Sequence, residues 1–239
     1  MPGATIRIPA RFNGPPESAN GGYACGLVAG ALGSGAAEVT LRSPPPLERD
    51  LKARVDATGV VSVLDGSTLV AEARSATVDL ELPEPPSVES ADKAARAGRE
   101  RWSAEHPFPG CVVCGPARAP GDGLRLFPGA LGGGLFACPW TPDESVAEES
   151  GAVARECVWA ALDCPTSAPV ANYGAGPPLV LGRQAARLDA PVKAGEPHVL
   201  VSWELDRDGR KRSSAGALFD SRGRCLARSR AVWIELAVS

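Results

Sequence analysis

The alternation of hydrophobic and polar positions is clearest in the last third of the chain. Residues 199–206 fall on two sides with a period of two, Val199, Val201, Trp203 and Leu205 on one and Leu200, Ser202, Glu204 and Asp206 on the other. A period of two predicts a β-strand. Turns at Asp208-Gly209 and at residues 221–223 separate this strand from two more, at residues 213–219 and 225–236. The pattern predicts an antiparallel meander.

The first half of the chain carries the same pattern. Strands are predicted at residues 51–56, 60–64 and 68–82, with a turn at Asp65-Gly66. The closing strands of the two halves align without a gap, and four pairs of like residues are each separated by 156 positions: Ala71 and Ala227, Arg74 and Arg230, Asp79 and Glu235, Leu80 and Leu236. Upstream, residues 41–44 correspond to residues 188–191. Because order, turns and residues agree, we interpret the halves as an internal repeat.

Each meander is preceded by a stretch with helical features. The first runs from Gly21 to Leu32, with Asn20 as its N-cap and Gly33 as its stop. The second, residues 153–163, has apolar residues at helical spacing and ends before Pro165. Between the repeats, prolines at 83–86 end the first sheet and a charged helix is predicted at 88–102.

The length and composition fit two small units. At 239 residues the chain has room for two domains of roughly 100 residues or for one large domain. Aromatic residues make up only 5% and there is one methionine, so Val, Leu and Ala must form the core. We therefore predict an N-terminal domain at 1–86, a connecting helix at 87–105 and a C-terminal domain at 106–239.

Charge and cysteine usage exclude several classes of function. A net charge of −3 and a pI near 5.5 leave no overall basic field for nucleic acid or an anionic membrane. No stretch approaches the roughly 18 apolar residues of a spanning helix, and residues 1–9 lack the features of a signal peptide. The seven cysteines are scattered, as in a reducing compartment, and Cys25, Cys157 and Cys164 are predicted to fill the core. These features predict a cytoplasmic protein with no nucleic-acid or membrane partner.

Three local motifs resemble one family. Asn20-Gly21-Gly22-Tyr23 resembles the His-Gly-Gly or Asn-Gly-Gly helix start of acyl-CoA thioesterases. Cys-Val-Val-Cys-Gly-Pro at 111–116, followed by Gly-Leu-Arg-Leu at 123–126, resembles the Cys-x-x-Cys-Gly segment that leads into the first strand of phenylacetate-type hotdog thioesterases. Trp-Ala-Ala-Leu-Asp at 159–163 resembles the end of that family's helix, where a catalytic Asp lies. Together with the meanders, the resemblance covers nearly the whole chain apart from the connecting helix.

The resemblance implies an α+β fold, a tandem (double) hotdog in which two antiparallel sheets each wrap a central helix. In paired hotdog domains the thioester lies between two helices, and the halves here carry different parts of that site. Ala29 stands where the first half would carry the family's acid, and Glu156 stands where the second half would carry the family's second glycine. One composite site per chain is implied, with Gly22 facing Asp163.

The predicted catalytic residues are Asp163, Gly22, Asn20 and Glu156. The N–H groups of a helix start, with glycine allowing close approach, stabilise negative charge on a thioester carbonyl oxygen. Asp163 acts either as general base or as nucleophile, and Glu156, two turns back on the same face, is the reserve acid.

The predicted substrate-binding residues are Gly21, Tyr23, Trp159, Arg222 and Arg224. The two arginines belong to a group of basic residues at the turns of the second meander. They either meet the phosphates of coenzyme A or are simply solvated at hairpin tips.

Other chemistries find less support in the sequence. Cys111 and Cys114, with His106 upstream, invite a zinc or redox interpretation, but a fourth ligand at a known zinc spacing is missing, so a structural turn is favoured. Neither His106 nor His198 lies near a Gly-x-Ser-x-Gly elbow. The glycines at 129–134 lie in a hairpin-like context without a P-loop or dinucleotide fingerprint. We therefore predict no metal and no cofactor.

The leading hypothesis is an acyl-CoA thioesterase-like protein that acts on an acyl-CoA or related thioester. A catalytically silent acyl-CoA or lipid-binding protein on the same fold is the first alternative, because Ala231 occupies the strand position where some double-hotdog enzymes carry a Gln. A hotdog hydratase or dehydratase is the second, although it needs an Asp-His pair at a helix start. The fold often assembles further, and a homo-oligomer is left open.

Overall fold

The computed structural model describes residues 4–33, 35–104, 106–172 and 176–236. The helices are α1 (Gly21–Gly30), α2 (Val88–Ala104), α3 (Arg155–Ala161) and α4 (Cys164–Ser167). The strands are β1 (Thr5–Ile6), β2 (Ala37–Leu41), β3 (Leu51–Val55), β4 (Val61–Asp65), β5 (Thr68–Ser75), β6 (Gly129–Gly132), β7 (Leu135–Trp140), β8 (Leu179–Leu188), β9 (His198–Asp208), β10 (Lys211–Asp220) and β11 (Cys225–Glu235). Residues 1–3 of the predicted N-terminal domain, residue 105 at the end of the predicted connecting helix and residues 237–239 of the predicted C-terminal domain lie outside the described residues.

The described strands form one antiparallel sheet in the order β1-β3-β4-β5-β2-β8-β11-β10-β9-β7-β6. The prediction of two separate sheets is therefore corrected. Strand β2 pairs with β8 over four positions, from Ala37 opposite Ala186 to Thr40 opposite Arg183. Each of these strands would otherwise present a row of unpaired backbone groups at a sheet edge, and their pairing removes both edges.

The two halves share one strand order and one register. Leu41 of β2 faces Ala71 of β5, and Leu188 of β8 faces Ala227 of β11, which are the correspondences that the sequence predicted. The backbone bonds beyond these pairs also match. The N–H groups of residues 42 and 43 both donate to the carbonyl of residue 70, and those of residues 189 and 190 both donate to that of residue 226. The repeat is therefore present in the hydrogen bonding as well as in the sequence.

A local two-fold axis relates the halves at the β2–β8 junction. Leu41 and Leu188 are equivalent residues 147 positions apart, and Glu38 and Ala185 are also 147 positions apart. Glu38 and Ala185 face each other across the junction. Two equivalent residues that face each other in an antiparallel pair lie on the axis that exchanges the two strands, so the halves meet as two subunits of a symmetric dimer would.

Helices α1 and α3 pack against each other through glycines. An ideal Cβ on Gly22 would lie 2.8 Å from the carbonyl oxygen of Trp159, near the end of α3. One on Gly26 would lie 2.5 Å from the Cα of Glu156, near the start of α3. The two helices therefore run antiparallel, with backbones closer than any side chain would permit. Burial on nearly all sides of α1 explains why its sequence is so rich in glycine and alanine.

Helix α2 covers the opposite face of the second half of the sheet. A small apolar cluster forms there, and its members are Ala91, Ala137, Val199, Val201, Ala217 and Phe219. Alternate residues of the same strand, such as Leu200, belong to the main core on the side of α1 and α3. The segment predicted as a connecting helix thus has a packing role. Among the described residues, no helix is long and apolar enough to cross a membrane.

Two predicted strands differ from the structure. The closing strand of the first half was predicted at 68–82, but β5 ends at Ser75. Beyond it, the carbonyl of Asp79 accepts a hydrogen bond from the Arg230 side chain, so this segment is held by side chains rather than by a ladder. Residues 123–126, predicted to lead into a strand, instead bond the Cys111–Cys114 turn, with the N–H of Leu126 donating to Val113.

Candidate functional site

Asp163 lies at the break between α3 and α4. Pro165 has no N–H to continue the α3 ladder, and its ring would clash with the carbonyl of Ala161, four residues earlier. The helix therefore stops at Ala161 and restarts at Cys164. The Asp163 side chain caps neither segment and points instead toward the start of α1.

Two groups from the start of α1 donate to the Asp163 carboxylate. The Nδ2 of Asn20 lies 2.7 Å from Oδ2, and the N–H of Gly22 lies 3.0 Å from the same oxygen. Asn20 also caps α1, because its Oδ1 accepts from the N–H of Tyr23 at 2.9 Å. The structure thus brings Asn20, Gly22 and Asp163 together, and the residues come from both halves of the chain.

The environment of Asp163 disfavours its charged form. The residue is 2% exposed, and burial raises the pKa of its carboxyl to about 7. The nearby Cys111 sulfur adds to this rise in pKa, whereas the bonds from Gly22 and Asn20 oppose it. The second oxygen, Oδ1, is buried without a hydrogen-bond partner among the described residues. Asp163 therefore has one oxygen fixed by two donors and one with no hydrogen-bond partner among the described residues.

The free donor at the start of α1 is Gly21 rather than Gly22. The sequence analysis assigned Gly22 to the substrate carbonyl, but its N–H already binds Asp163. The N–H of Tyr23 is used by the cap. The N–H of Gly21 forms no hydrogen bond with any described residue, and Gly21 borders the large cavity. Unpaired N–H groups at a helix start attract negative charge.

Buried polar side chains of the sheet hold the backbone around Asp163. Three bonds reach carbonyl oxygens of α3, of its C-cap Leu162 and of α4: Gln184 Nε2 to Trp159 at 3.1 Å, Ser229 Oγ to Leu162 at 3.2 Å, and Ser202 Oγ to Pro165 at 2.7 Å. All three side chains are almost fully buried. The Leu162 carbonyl has no other donor among the described residues, so Ser229 satisfies a group that burial would otherwise leave unpaired. The carbonyls of Trp159 and Pro165 also accept the N–H groups of Leu162 and Ala168, so the side chains supply second donors there.

Ser202→Ala is expected to lower the free energy of unfolding by about 1 kcal/mol, because it removes a buried hydrogen bond to the Pro165 carbonyl and leaves that oxygen with the Ala168 N–H as its remaining donor. The measurement is urea unfolding of the variant and of wild type. Ser213→Ala on the neighbouring strand is the control, since the Ser213 hydroxyl forms no hydrogen bond with the described residues. Equal stability of the Ser202 variant and wild type would show that this bond does not hold the segment.

A cavity of about 930 Å³ opens beside Asp163. Its walls come from both halves and are mostly apolar, with Phe108, Leu181 and Ile234 among the lining residues. Asn20, Gly21 and Asp163 form a polar patch in this wall. An apolar cleft of this size with a few convergent polar groups is typical of a small-molecule site.

The other residues predicted for the site do not border this cavity. They are Gly22, Glu156, Tyr23, Trp159, Arg222 and Arg224. Glu156 lies against Gly26 at the far end of α3, and Tyr23 stacks on Phe12 with ring centroids 3.9 Å apart. Trp159 is fully buried. The N–H groups of the two arginines bind Asp220 in the β10–β11 turn, with their side chains exposed, which fits the solvated-tip alternative.

Sequence analysis missed two residues near Asp163. Gln184 lies on β8 directly opposite Ala231, so a buried Gln exists one strand away from the position considered for it. Cys164, predicted as a core filler, is buried in the core and also borders the cavity, with its sulfur 3.7 Å from that of Cys111. Neither residue lies in a local motif. The pairing of β8 with β11 positions Gln184, and the fold of residues 106–126 brings Cys111 to Cys164.

No family model matches the chain, and no curated protein matches it significantly in sequence. Solved structures do match. The tesB protein of Mycobacterium avium subsp. paratuberculosis has a TM-score of 0.65 at 12% identity, over 98% of this chain and 92% of that one. A Thermobifida fusca protein with the provisional name thioesterase II has a TM-score of 0.61 at 13% identity, over 99% and 93%. An Alicyclobacillus acidocaldarius protein of unknown function with a hotdog fold has a TM-score of 0.53 at 10% identity, over 98% and 93%. This likeness establishes the fold, and the chain has the hotdog fold that its motifs predicted.

Proposed function

We propose that the protein hydrolyses an acyl thioester, of the acyl-CoA class, at one composite site between the two halves. The observation that carries the proposal is the Asp163 carboxylate of the second half, held by Asn20 and Gly22 of the first half at the wall of an apolar cavity. The fold, shared with structures that carry thioesterase names, supports the same reaction class.

The proposed reaction uses the two ends of this polar patch. The acyl chain lies along the apolar wall, and its carbonyl oxygen accepts the N–H of Gly21, which stabilises the negative charge that develops during attack. Asp163 either takes a proton from the attacking water or attacks the acyl carbon itself through Oδ1. In both routes the carbon–sulfur bond breaks and the departing thiolate recovers a proton. With water as the nucleophile the acid is released directly, whereas attack by Asp163 first forms an acyl-enzyme anhydride, which a water molecule then hydrolyses to the acid and the free carboxylate.

A binding-only function is the second candidate, and one observation favours it. The N–H of Gly22, the donor expected for the substrate, is engaged by Asp163 itself. A panel of acyl-CoAs of increasing chain length, assayed for thiol release, separates the two candidates. Saturable turnover supports hydrolysis, whereas saturable binding without thiol release identifies a silent binding protein. No observation favours the hydratase alternative, because the His106 ring contacts Cys114 and the N–H of Phe108 rather than Asp163.

We propose that two arginines at the cavity meet the phosphates of coenzyme A. Arg42 and Arg101 border the cavity and are exposed. Arg101→Glu is expected to raise KM for an acyl-CoA about 5- to 10-fold, since it replaces an attraction worth about 1 kcal/mol with repulsion. The same variant should leave KM unchanged for an acyl-pantetheine, which lacks the nucleotide phosphates.

Arg222→Glu is the matched control, because Arg222 lies at an exposed hairpin tip away from the cavity. A rise in KM for the Arg222 variant but not for the Arg101 variant would place the coenzyme on the second meander, as the sequence first suggested. Equal effects of Arg101→Glu on both substrates would show that Arg101 does not contact the phosphates.

A further inference from the structure

Three cysteine sulfurs meet beside the proposed site. Cys111 and Cys114 come from the turn before β6, and Cys164 comes from the start of α4. Their sulfur atoms all lie within 4.8 Å of one another, and those of Cys111 and Cys164 are 3.7 Å apart. All three residues are buried. Because 50 positions separate Cys114 from Cys164, the cluster has no sequence motif.

Polar N–H groups surround these sulfurs. Asn20 Nδ2 lies 3.6 Å from the sulfur of Cys164, and His106 Nε2 lies 3.1 Å from that of Cys114. The Nδ1 of His106 accepts the N–H of Phe108 at 2.9 Å, so the ring proton is on Nε2 and points at the sulfur. Donors of this kind stabilise thiolates, which are the metal-binding form of cysteine.

The turn that carries Cys111 and Cys114 requires a glycine at position 115. An ideal Cβ on Gly115 would lie 2.4 Å from the carbonyl oxygen of Cys111 and 2.5 Å from that of Pro109. The N–H of Gly115 donates to the same Cys111 carbonyl at 2.9 Å. The turn therefore folds tightly enough to direct both sulfurs of Cys-x-x-Cys to one side, the spacing that structural zinc sites use.

We propose that Cys111, Cys114 and Cys164 bind one zinc ion as thiolates, with the fourth position open to the cavity. Zinc–sulfur bonds of about 2.3 Å in a tetrahedron place sulfurs about 3.8 Å apart, which the Cys111–Cys164 separation matches. Three protonated thiols release three protons on binding, and the site then carries one net negative charge. His106 donates its Nε2–H to the Cys114 thiolate and does not ligate the metal.

The ion would connect the Cys111–Cys114 turn to the start of α4. Cys164 follows Asp163 directly, and the turn of Cys111 contacts the segment before α1 through the bond from the Val112 N–H to Asn13. Zinc binding would therefore restrain the Asp163 backbone in addition to the bonds from the sheet. Zinc binding can be measured without any thioester turnover, so it is tested separately from hydrolysis.

The test uses the full-length chain, purified with reductant and without chelator. Elemental analysis is expected to find about one zinc per chain. Cobalt(II) added to the metal-free chain should saturate at one equivalent, with a sulfur-to-cobalt charge-transfer band and the visible bands of tetrahedral cobalt. Less than a tenth of an equivalent of zinc after incubation with excess zinc and dialysis, or cobalt spectra without the sulfur band, would overturn the proposal.

Variants locate the site. Cys164→Ala should abolish stoichiometric binding, whereas Cys138→Ala should not, since Cys138 is buried in the apolar core away from the cluster. His106→Gln should weaken zinc affinity about 10- to 100-fold, as expected for a residue that orients a ligand. Full binding by a folded Cys164 variant would show that the metal lies elsewhere. The cobalt titration of wild type decides the question if that variant does not fold.

Discussion

Asp163→Asn is expected to reduce kcat/KM for acyl-thioester hydrolysis by roughly 10²- to 10⁴-fold, the usual contribution of a general base. The Asn amide has nearly the same shape, and its oxygen can still accept from Asn20 and Gly22 as Oδ2 does now. The amide lacks a lone pair for taking a proton or attacking carbon at the position of Oδ1. The measurement is steady-state thiol release from the best acyl-CoA of the panel.

The same variant should be more stable than wild type at alkaline pH. Because burial raises the pKa of Asp163 to about 7, the folded protein holds this proton more tightly than the unfolded chain. Wild-type stability therefore falls as pH rises from about 4 to 7, by up to a few kcal/mol. Asn carries no such charge, so its advantage in Tm should be small at pH 5 and largest at pH 8. Thermal unfolding at both values checks this.

These two results together separate a catalytic role from a structural one. A stable Asn variant that turns over normally would remove Asp163 from the mechanism. An inactive variant that is also less stable at pH 8 would indicate that the carboxylate serves chiefly to hold α1 and α3 together through its bonds to Asn20 and Gly22.

Gly26→Ala is expected to destabilise the fold by about 3 kcal/mol or more, because the new methyl would lie 2.5 Å from the Cα of Glu156. Backbone atoms cannot move aside as a flexible side chain would. Gly22→Ala should be at least as damaging, since its methyl would lie 2.4 Å from the Cβ of Asp163 and 2.8 Å from the carbonyl of Trp159. The measurement is chemical unfolding of each variant.

Gly30 on the same helix provides the control. An added Cβ there meets no atom within 4 Å, so Gly30→Ala should be neutral or stabilise α1 by up to about 1 kcal/mol. Gly22, Gly26 and Gly30 are spaced four residues apart on one helix. Substitution by Ala is thus expected to lower the stability at the first two and to leave it unchanged or raise it at the third. If all three substitutions stabilised the protein, the close approach of α1 and α3 would be disproved.

Much of the fold was predictable because its signals are local. The meanders follow from a period of two with turn residues between strands, and the start of α1 follows from Asn20, which caps the helix as predicted. The meeting of Gly22 and Asp163 was also predicted, but it depended on the family resemblance, because no local rule joins residues 141 positions apart.

The features that escaped prediction depend on tertiary packing. Nothing in the composition of β2 or β8 distinguishes two separate sheets from one sheet joined between them. The position of Gln184 depends on the register of β8 against β11, and the position of Cys164 beside Cys111 depends on the path of residues 106–126. The use of the Gly22 N–H by Asp163 also appears only in three dimensions, which is why the substrate donor was assigned one residue too late.

The bond between Asn20 and Asp163 spans 143 positions, and this separation has a consequence for the order of folding. Contacts between distant residues carry a large entropy of loop closure and form late. During synthesis the first half can pair its own strands while the second is still being made, but its β2 edge and the glycine face of α1 stay uncovered until α3 and β8 have been translated. The nascent chain therefore passes through a stage with an exposed sheet edge and no assembled site, at which we expect it to depend most on chaperones.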